Sequence, residues 1–416
     1  MSVLSYLEKL LNGVDIQWKT IGEVTLRTSN IKWREATRSY RYVDLTSVDI
    51  ETKKITETTE VTANNAPSRA QKLIEENDVI FATTRPTQQR FCLIDGEYSD
   101  EVASTGFCVL RAKQNEVLPK WIWHWISTSY FKKYVEENQS GSAYPAISDA
   151  KVKECYIPVP CPENPEKSLA IQSEIVRILD KFTALTAELT AELAMRKKQY
   201  NYYRDQLLSF EEGEVEWKTL DEVASFRRGS FPQPYGNSEW YNGEGCMPFV
   251  QVADVADFGF RLHRSTKQQI SKLAQSKSVF VEAGTVIVSL QGTIGRVALT
   301  QYDCYVDRTL AIFTKYKAAV NKKYFAHQLK AKFDLEKEFA RGSTLKTITK
   351  EEFSKFQIPI PPLEVQNRIV ALLDKFDRLT HSIEEGLPRE LELRQKQYEY
   401  YRELLFSFPR PETASN

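Results

Sequence analysis

The sequence lacks several features that would assign it to common protein classes. No apolar run approaches the length of about 20 residues that a membrane-spanning helix requires. The N-terminal stretch Met1–Leu11 is amphipathic and carries Glu8 and Lys9, unlike the apolar segment of a secretory signal peptide. The chain has 56 basic and 56 acidic residues, so its zero net charge argues neither for nor against a nucleic-acid partner. These absences predict a soluble, cytoplasmic protein.

Motifs for catalysis and metal binding are also missing. The segment Gly292–Arg296 lacks the Lys-Ser/Thr pair of a nucleotide-binding phosphate loop. The chain also has neither the Asn/Asp-Pro-Pro-aromatic tetrapeptide nor the glycine-rich cofactor loop of adenine methyltransferases. Asp49, Glu51 and Lys53 faintly resemble a nuclease cluster, but a solvated strand or turn explains them better. No metal or redox spacing relates Cys92, Cys108, Cys155, Cys161, Cys246, Cys304, His124, His263, His327 and His381. We therefore expect no catalytic residue, no metal site and no enzymatic activity.

What the sequence does contain is one long segment that occurs twice, at Ile157–Phe210 and at Ile358–Phe408. Both copies share an Ile-Pro-x-Pro start, Leu-Asp-Lys-Phe and Lys-Gln-Tyr, and both carry an apolar stripe with the spacing of an amphipathic helix. Either stripe alone could be an ordinary core seam, but two matched stripes favour an antiparallel pair. The residues predicted to form this coiled coil are Ile175, Phe182, Leu189, Leu193, Ile369, Phe376, Ile383 and Leu391.

The two copies differ in length by one four-residue unit. The first has the tandem tetrads Thr186–Leu189 and Thr190–Leu193, whereas the second has three tetrads between Thr380 and Leu391. Four helical residues rise roughly 6 Å, so the stripe stays nearly in phase. Gly386 and Pro388 leave open whether the second helix is kinked.

Two stretches with a recurring layout of strands and one helix lie between the repeats. Strands are expected at Asp78–Thr83 and Thr285–Leu290, for example, and helices at Trp121–Tyr134 and near Tyr324–Phe339. The fold class is therefore α+β, with two α/β domains separated by two long helices, conserved between the copies, in a pseudo-two-fold cyclic order. The predicted divisions are 1–157, an N-terminal helix and first domain; 158–215, the central repeat; 216–358, the second domain; and 359–416, the C-terminal repeat.

Binding signals lie in basic windows and in two hairpin candidates. Phe258–Val281 contains basic residues and no acid, and basic residues surround Trp33 in the first domain. Such clusters can neutralise phosphates, although a solvated face is an equal alternative. Arg and Gln on the hairpins Thr83–Arg90 and Leu290–Arg296 suit base edges, with a decorated structural turn as the alternative. The predicted DNA-binding residues are Arg85, Gln88, Gln89, Arg90, Ser142, Tyr144, Arg227, Arg228, Gln291, Thr293, Arg296, Arg308, Ser343 and Lys346.

These features together resemble the specificity subunit of a type I restriction–modification system, and the tandem Thr-Ala-Glu-Leu tetrads resemble its IC class. The resemblance covers essentially the whole chain. It implies that each variable domain recognises one half of a split DNA sequence and that the tetrad number tunes the spacer between the halves. The first hairpin departs from the family pattern, because it has Pro86 and no glycine.

The resemblance also implies the partners: two modification (methyltransferase) subunits and two restriction (motor-nuclease) subunits. S-adenosylmethionine, ATP and Mg are then expected on those partners and no cofactor on this chain. The tyrosines at the helix ends, Tyr200, Tyr203, Tyr398 and Tyr401, are expected to dock the partners. Since the chain is near neutral, the partners are expected to complete the positive DNA channel. The alternative is a non-catalytic helical scaffold with two protein-binding domains.

Overall fold

The structure is a computed structural model. It describes residues 13–211, 213–257, 259–339, 349–382 and 384–409. The chain forms two compact units. Unit 1 contains the residues up to Glu188 together with those from Glu392 onward, and unit 2 is Leu189–Leu391. Each unit therefore combines one α/β domain with a part of both repeated segments. The predicted division into four functional segments cuts the chain at other places and stays a prediction.

The elements follow one another in the order expected from the repeat. The first domain contains β1 Ile16–Thr20, β2 Thr25–Leu26, β3 Tyr40–Val43, β4 Thr59–Val61, β5 Ala70–Ile74, β6 Val79–Ala82, β7 Phe91–Leu93, β8 Glu101–Ser104, β9 Phe107–Ala112, α1 Pro119–Ile126, α2 Ser129–Asn138, α3 Asp149–Glu154 and β10 Tyr156–Pro160. Helix α4 then runs over Pro165–Leu208. The second domain contains β11 Glu216–Thr219, α5 Leu220–Val223, β12 Ala224–Arg228, β13 Met247–Val250, β14 Gln268–Ile270, α6 Lys272–Gln275, β15 Val279–Val281, β16 Val286–Ser289, β17 Val297–Leu299, β18 Cys304–Val306, β19 Leu310–Tyr316, α7 Lys322–Phe339, α8 Lys350–Ser354 and β20 Gln357–Ile360. The chain closes with α9 Leu363–His381 and α10 Leu387–Leu405.

The two domains share one topology although their sequences have little in common. The first has the sheets β2-β9-β6-β7 and β4-β3-β8-β5, and the second has β12-β19-β16-β17 and β14-β13-β18-β15. In both domains one equivalent pair, β3·β8 or β13·β18, is parallel, and the other pairs are antiparallel. Since both faces of β6 and β16 are buried, these strands appear in the sequence as continuous apolar runs. The predicted internal duplication is confirmed at the level of topology.

The start and the end of each domain are joined by a short two-stranded sheet. Strand β1 pairs with β10, which places Trp18 opposite Pro158, and β11 pairs with β20, which places Trp217 opposite Pro359. The Trp-Lys-Thr and Ile-Pro-x-Pro motifs of the repeat therefore form a clasp that brings the two ends of each domain together.

The two repeated segments differ in helical continuity. Helix α4 runs without a break through both of its tetrads, whereas the second copy is divided between α9 and α10. Gly386 lies in this division with φ +82°, and an added Cβ would lie 2.4 Å from the Arg378 carbonyl oxygen. Only glycine fits this close, left-handed turn. Pro388 lies in the first turn of α10, where its missing N–H does not cost a hydrogen bond. The second copy is therefore interrupted, not merely kinked. Part of its three-tetrad stretch lies in the interruption between the two helices.

Inside each unit, part of one repeated segment packs against part of the other. In unit 1 the Phe182 ring of α4 stacks on Tyr401 of α10, with centroids 5.2 Å apart. In unit 2 the equivalent pair is Tyr203 of α4 and Phe376 of α9, at 5.8 Å. The next contact in unit 2 joins Tyr200 to His381. From the first of these contacts to the second, the residue number decreases along α4 and increases along α9. The two helices therefore run antiparallel there.

Buried glutamines attach the repeated helices to the domains. In unit 1 the side-chain oxygen of Gln172 accepts from the Leu118 N–H at 2.9 Å, just before α1. In unit 2 the Gln366 oxygen accepts from the Asn321 N–H at 2.8 Å, just before α7. Both glutamines are fully buried. Their amide nitrogens donate to the carbonyl oxygens of Glu116 at 2.9 Å and Ala319 at 3.1 Å, respectively. Because both ends of each buried amide are satisfied, these bonds set where each domain helix meets the repeat.

A second attachment in unit 1 is centred on His124 of α1, which is fully buried. Its Nε2 lies 3.1 Å from the Asp180 carboxylate of α4, and its Nδ1 lies 3.1 Å from the Tyr398 hydroxyl of α10. Burial lowers the pKa of His124, even though Asp180 opposes the shift, so the ring is neutral at pH 7. The neutral ring donates to Asp180 and accepts from Tyr398, so a single side chain links the domain to both repeated segments.

Besides the second repeat, which is two helices instead of one, a further predicted helix is divided, and the predicted N-terminal helix lies outside the described residues. The predicted helix Trp121–Tyr134 is two helices, because the Thr128 side chain caps a new helix by accepting from the Phe131 N–H. None of the helices in the described part of the chain combines the length and apolar character that crossing a membrane requires. The cysteines are free thiols.

Candidate nucleic-acid interface

The predicted loop of the first domain, between β6 and β7, is held beside a second loop. The backbone N–H of Arg85 donates to the Pro145 carbonyl oxygen at 2.7 Å, and Thr84 forms a β-bridge with Ala146. The Arg85 guanidinium lies 5.3 Å from the ring centroid of Tyr144, which is 72% exposed. This contact is a cation–π pair at the surface. The structure thus brings together predicted residues from two distant parts of the sequence.

Exposure divides the remaining predicted residues of this region into two groups. Gln88 and Ser142 are exposed, so both can meet a ligand. Arg90, in contrast, is half-buried and donates to the carbonyl oxygens of Leu45 and Val48. Gln89 is half-buried, with its side-chain oxygen inside the domain. Arg90 thus holds a neighbouring loop, a structural role that the sequence did not indicate, whereas the buried Gln89 oxygen has no partner among the described residues.

The basic window around Trp33 is partly neutralised within its own domain. The Arg41 Nη1 lies 2.8 Å from Glu97, and Arg38 and Arg41 both approach Glu101, whose side chain is mostly buried. Glu101 also accepts from the Arg41 N–H at 2.7 Å. The acids lie more than 50 residues away in the sequence, which explains why the window looked free of partners.

The equivalent loop of the second domain, between β16 and β17, is a tight turn organised by Ser289. The Ser289 hydroxyl donates to the Thr293 carbonyl oxygen at 2.5 Å and accepts from the Arg296 N–H at 2.9 Å. Gly295 has φ +78°, and an added Cβ would lie 2.6 Å from the Cβ of Phe333 on α7. Thr293 is exposed and Gln291 is half-buried. The turn therefore presents Thr293 while its base is packed on α7.

Arg296 is directed toward the protein rather than away from it. Its Nη1 donates to the Val255 carbonyl oxygen at 3.0 Å, and its Nη2 pairs with Asp257 at 2.6 Å. Its backbone contacts keep the turn closed, and its side chain fastens the loop that follows β13. Its predicted role in DNA contact is untested, but its geometry is that of a positioning residue.

Further basic residues lie at the same end of this sheet. Arg228 is paired in register with Ala311, and Arg308 lies one turn before β19, with its guanidinium 5.3 Å from the Tyr235 ring. Arg227 and Arg308 are exposed. The Tyr235 hydroxyl donates to the buried Asp307 at 2.5 Å, and burial raises the pKa of Tyr235 to about 12, so it stays a donor at neutral pH.

Sequence reasoning missed two residues that take part in cation–π contacts in this domain. Tyr235 was not singled out, because it lies in an irregular stretch between strands. Lys277 was noted only within the acid-free window, but its ammonium lies 5.0 Å from the Trp240 ring centroid. Aromatic residues in the stretch Phe231–Tyr241 were the available signal, since cation–π contacts select such partners. Ser343 and Lys346 lie outside the described residues.

The predicted helix residues also differ in exposure. Ile175 and Ile369 are buried, and Phe182, Leu189, Leu193, Phe376 and Leu391 are half-buried; Ile383 lies outside the described residues. Among the tyrosines predicted to dock partners, Tyr200 and Tyr398 are 7% and 6% exposed. Their side chains already serve the interior of their own units. Tyr203 is exposed and Tyr401 is half-buried, so the docking prediction now depends on these two.

Comparison with known proteins shows what kind of chain carries these surfaces. The family profile described as the type I restriction modification DNA specificity domain matches twice, over residues 15–195 and 212–393. The chain belongs to this family. The specificity subunit of an Escherichia coli type I restriction enzyme is 41% identical over the full length of both chains. Another from Escherichia coli, the EcoprrI specificity subunit, is 32% identical over 92% of this chain and 93% of its own.

Solved structures of the family give the same result. A chain from work on complex assembly and conformational transition of the type I R-M system has a TM-score of 0.64, with 25% identity over 94% of this chain and 97% of that chain. The HsdS subunit of Thermoanaerobacter tengcongensis has a TM-score of 0.50, with 26% identity over 94% of this chain and 96% of its own. The duplicated profile match coincides with the duplicated topology. The specificity-subunit family is non-catalytic, its members recognise DNA, and the scaffold alternative is not favoured.

Proposed function

We propose that this chain recognises a bipartite DNA site, with one domain for each half-site, and recruits the modification and restriction subunits. One observation carries the proposal. The two domains have the same topology, yet they present different side chains on equivalent loops, Arg85 and Gln88 in one and Thr293 in the other. A common scaffold with different contact residues is what two different half-sites require.

The chemistry of the exposed residues supports distinct roles. Arg85 and Gln88 suit direct contacts, because arginine pairs with guanine and glutamine with adenine in the major groove. Arg227 and Arg308 suit contacts with the phosphates, which set position and orientation. Ser142, Tyr144, Thr293 and Gln291 would complete the two surfaces, and Arg228, Ser343 and Lys346 are retained as predicted contacts.

The composition of the assembly is also proposed. In it, one copy of this chain binds two modification subunits and two restriction subunits, and Tyr203 and Tyr401 contribute to the docking surfaces. Those partners would bind S-adenosylmethionine, ATP and Mg, and this chain would bind no cofactor. The partners would supply the positive charge that the neutral chain lacks. Such a complex works on the DNA in the cytoplasm of a bacterial or archaeal cell.

The tetrads would set the distance between the half-sites. Thr186–Leu193 lies within the unbroken helix α4, so another tetrad there would lengthen a continuous helix. Each added tetrad would extend it by roughly 6 Å. DNA rises about 3.4 Å per base pair, so the proposed change in spacer length is small.

Selection of duplexes from a random library by the assembled complex tests the assignment of half-sites. Arg85→Ala should relax selection in one half-site only, and Arg308→Ala should weaken binding with little change in the selected sequence. Loss of a bidentate base contact is worth about 1–3 kcal/mol of discrimination, or roughly 5- to 150-fold. Lys133→Ala, which removes an exposed cation on α2 paired with Glu137, is the matched control and should change neither. Relaxation of both half-sites by Arg85→Ala would contradict the proposal.

A further inference from the structure

A cavity of about 190 Å³ lies within unit 2, lined by residues of α4, α7, α9 and the β16–β17 turn. One of its lining residues is His327, which is 2% exposed and has no hydrogen-bond partner at either ring nitrogen among the described residues. Burial lowers the pKa of His327 to about 3, so the ring is neutral at pH 7. One nitrogen is then a donor and the other an acceptor. Buried polar atoms of this kind are almost always satisfied by something.

A second unpartnered atom lines the same cavity. The Nε of Arg296 is buried and has no hydrogen-bond partner in the described part of the chain, although the two terminal nitrogens of the group are bound. A guanidinium N–H can only donate. The two groups offer one open N–H donor each, so they call for an occupant that accepts at least two hydrogen bonds.

Charged side chains of both signs line the cavity. Three cations, Arg204, Arg296 and Lys330, line it against two carboxylates, Asp257 and Asp377. Asp257 is paired with Arg296, and Asp377 lies 3.2 Å from the His381 ring. Arg204 and Lys330 are paired with Asp205 and Asp334, which are not among the lining residues. Each of the three cations thus already has a carboxylate partner, and the case for an oxyanion rests on the open N–H donors of His327 and Arg296.

Unit 1 shows that the open ring of His327 is not a general property of the fold. Trp121 and Tyr324 occupy equivalent positions, since each donates to the carbonyl oxygen of the first proline of the Ile-Pro-x-Pro motif at 3.0 Å. His124 and His327 each lie three residues further on. His124 is satisfied by Asp180 and Tyr398. At the equivalent positions in unit 2, Asp374 pairs with Lys323 and Tyr200 lines the cavity.

From these observations we propose that the cavity binds a small oxyanion of the phosphate class, held by His327, Arg296, Arg204 and Lys330. An oxygen of hydrogen phosphate can accept from the ring nitrogen of His327 that carries the proton. Water in the rest of the cavity can donate to the other ring nitrogen, which points to the opposite side of the ring. The volume admits a tetrahedral oxyanion with some water. The site does not depend on how the domains recognise DNA.

The test uses the full chain with 13C-labelled histidine rings, whose four signals can be assigned by single His→Gln variants. Inorganic phosphate is titrated at constant ionic strength, with chloride as the balancing salt. The expected result is a saturable shift of the His327 signal and no shift of the His124 signal, which is the internal control. No saturable shift of His327 across the millimolar range would overturn the proposal and leave water as the occupant.

Cation variants separate a built site from general charge attraction. Arg204→Gln and Lys330→Gln should each weaken phosphate binding by about 10-fold or more, because each removes a charge-assisted hydrogen bond. Arg402→Gln is the matched control, since Arg402 is the repeat equivalent of Arg204 in unit 1, and phosphate binding should be unchanged. An equal effect of Arg402→Gln would overturn the proposal.

A last comparison distinguishes a free ion from a phosphate of the DNA backbone. The phosphate titration is repeated with a saturating amount of duplex DNA. If DNA itself shifts the His327 signal and prevents the effect of phosphate, the site accepts backbone phosphates. If phosphate still titrates His327, the site is specific for the free oxyanion. Both results retain the site and identify its ligand.

Discussion

The buried His124 offers a direct test of how the domains are attached to the repeated helices. Tyr398→Phe removes only the hydroxyl that donates to the His124 Nδ1 at 3.1 Å. The acceptor nitrogen is then left without this partner in a fully buried position. Such a loss costs about 1–3 kcal/mol, and no cavity is created, because the ring remains. We expect unit 1 to lose this much free energy of unfolding.

The repeat provides a matched control in unit 2. Tyr200 is the equivalent of Tyr398 and is similarly buried, but its hydroxyl makes no hydrogen bond among the described residues. Tyr200→Phe should therefore change the unfolding free energy by less than about 0.5 kcal/mol. The difference between the two variants isolates the hydrogen bond from the effect of the substitution itself.

Denaturant unfolding followed by tryptophan fluorescence can measure the difference. Five of the seven tryptophans, at positions 18, 33, 121, 123 and 125, lie in unit 1, so the signal mainly reports that unit. The midpoint for Tyr398→Phe should fall without a change in slope. Equal losses in both variants, or no loss in Tyr398→Phe, would refute the attachment through His124.

Three further predictions concern unit 2 and the repeat. In the folded chain His327 has a pKa of about 3 and is neutral at pH 7, whereas in the unfolded chain its pKa is the ordinary value of about 6.5. Between pH 3 and pH 6.5 the unfolded state therefore binds more protons than the folded state. As the pH decreases below about 6.5, the free energy of unfolding should therefore decrease by up to about 1.4 kcal/mol per pH unit. Urea titrations at several pH values in phosphate-free buffer should show a smaller dependence of this free energy on pH for His327→Gln, and an equal dependence contradicts the prediction. Gly295→Ala should cost more stability than Gly292→Ala, because both have positive φ but only Gly295 is packed on Phe333, and thermal unfolding of the two variants gives the comparison. Inserting Thr-Ala-Glu-Leu after Leu193 should lengthen the DNA spacer while both half-sites stay the same. An unchanged spacer in a methylation footprint would contradict the proposal that helix length sets the spacer.

The sequence predicted the internal duplication and several elements of the fold because duplication and burial leave regular patterns. The apolar runs that predicted strands at Asp78–Thr83 and Thr285–Leu290 are β6 and β16, whose side chains are buried on both faces. The matched helical stripes likewise predicted the pairing seen in the Phe182–Tyr401 and Tyr203–Phe376 stacks. These features depend on the sequence periodicity of single elements.

The direction of individual polar side chains could not be predicted in this way. Arg90 and Arg296 look like contact residues in the sequence, but each reaches backbone carbonyl oxygens more than 40 residues away. The relation between His124 and His327 was also missed, because it becomes visible only when the aromatic residues three positions earlier are recognised as equivalent. Such contacts depend on the folded topology, which brings distant loops together.

The most direct measurement is the methylated motif in the genome of a host that carries this chain and its partner subunits. The account predicts two short specified sequences separated by a spacer of fixed length and no fixed sequence. Exchanging residues 216–358 for those of another member of the family should replace one specified half and leave the other unchanged. A continuous motif, or a change in both halves after this exchange, would contradict the assignment of one half-site to each domain.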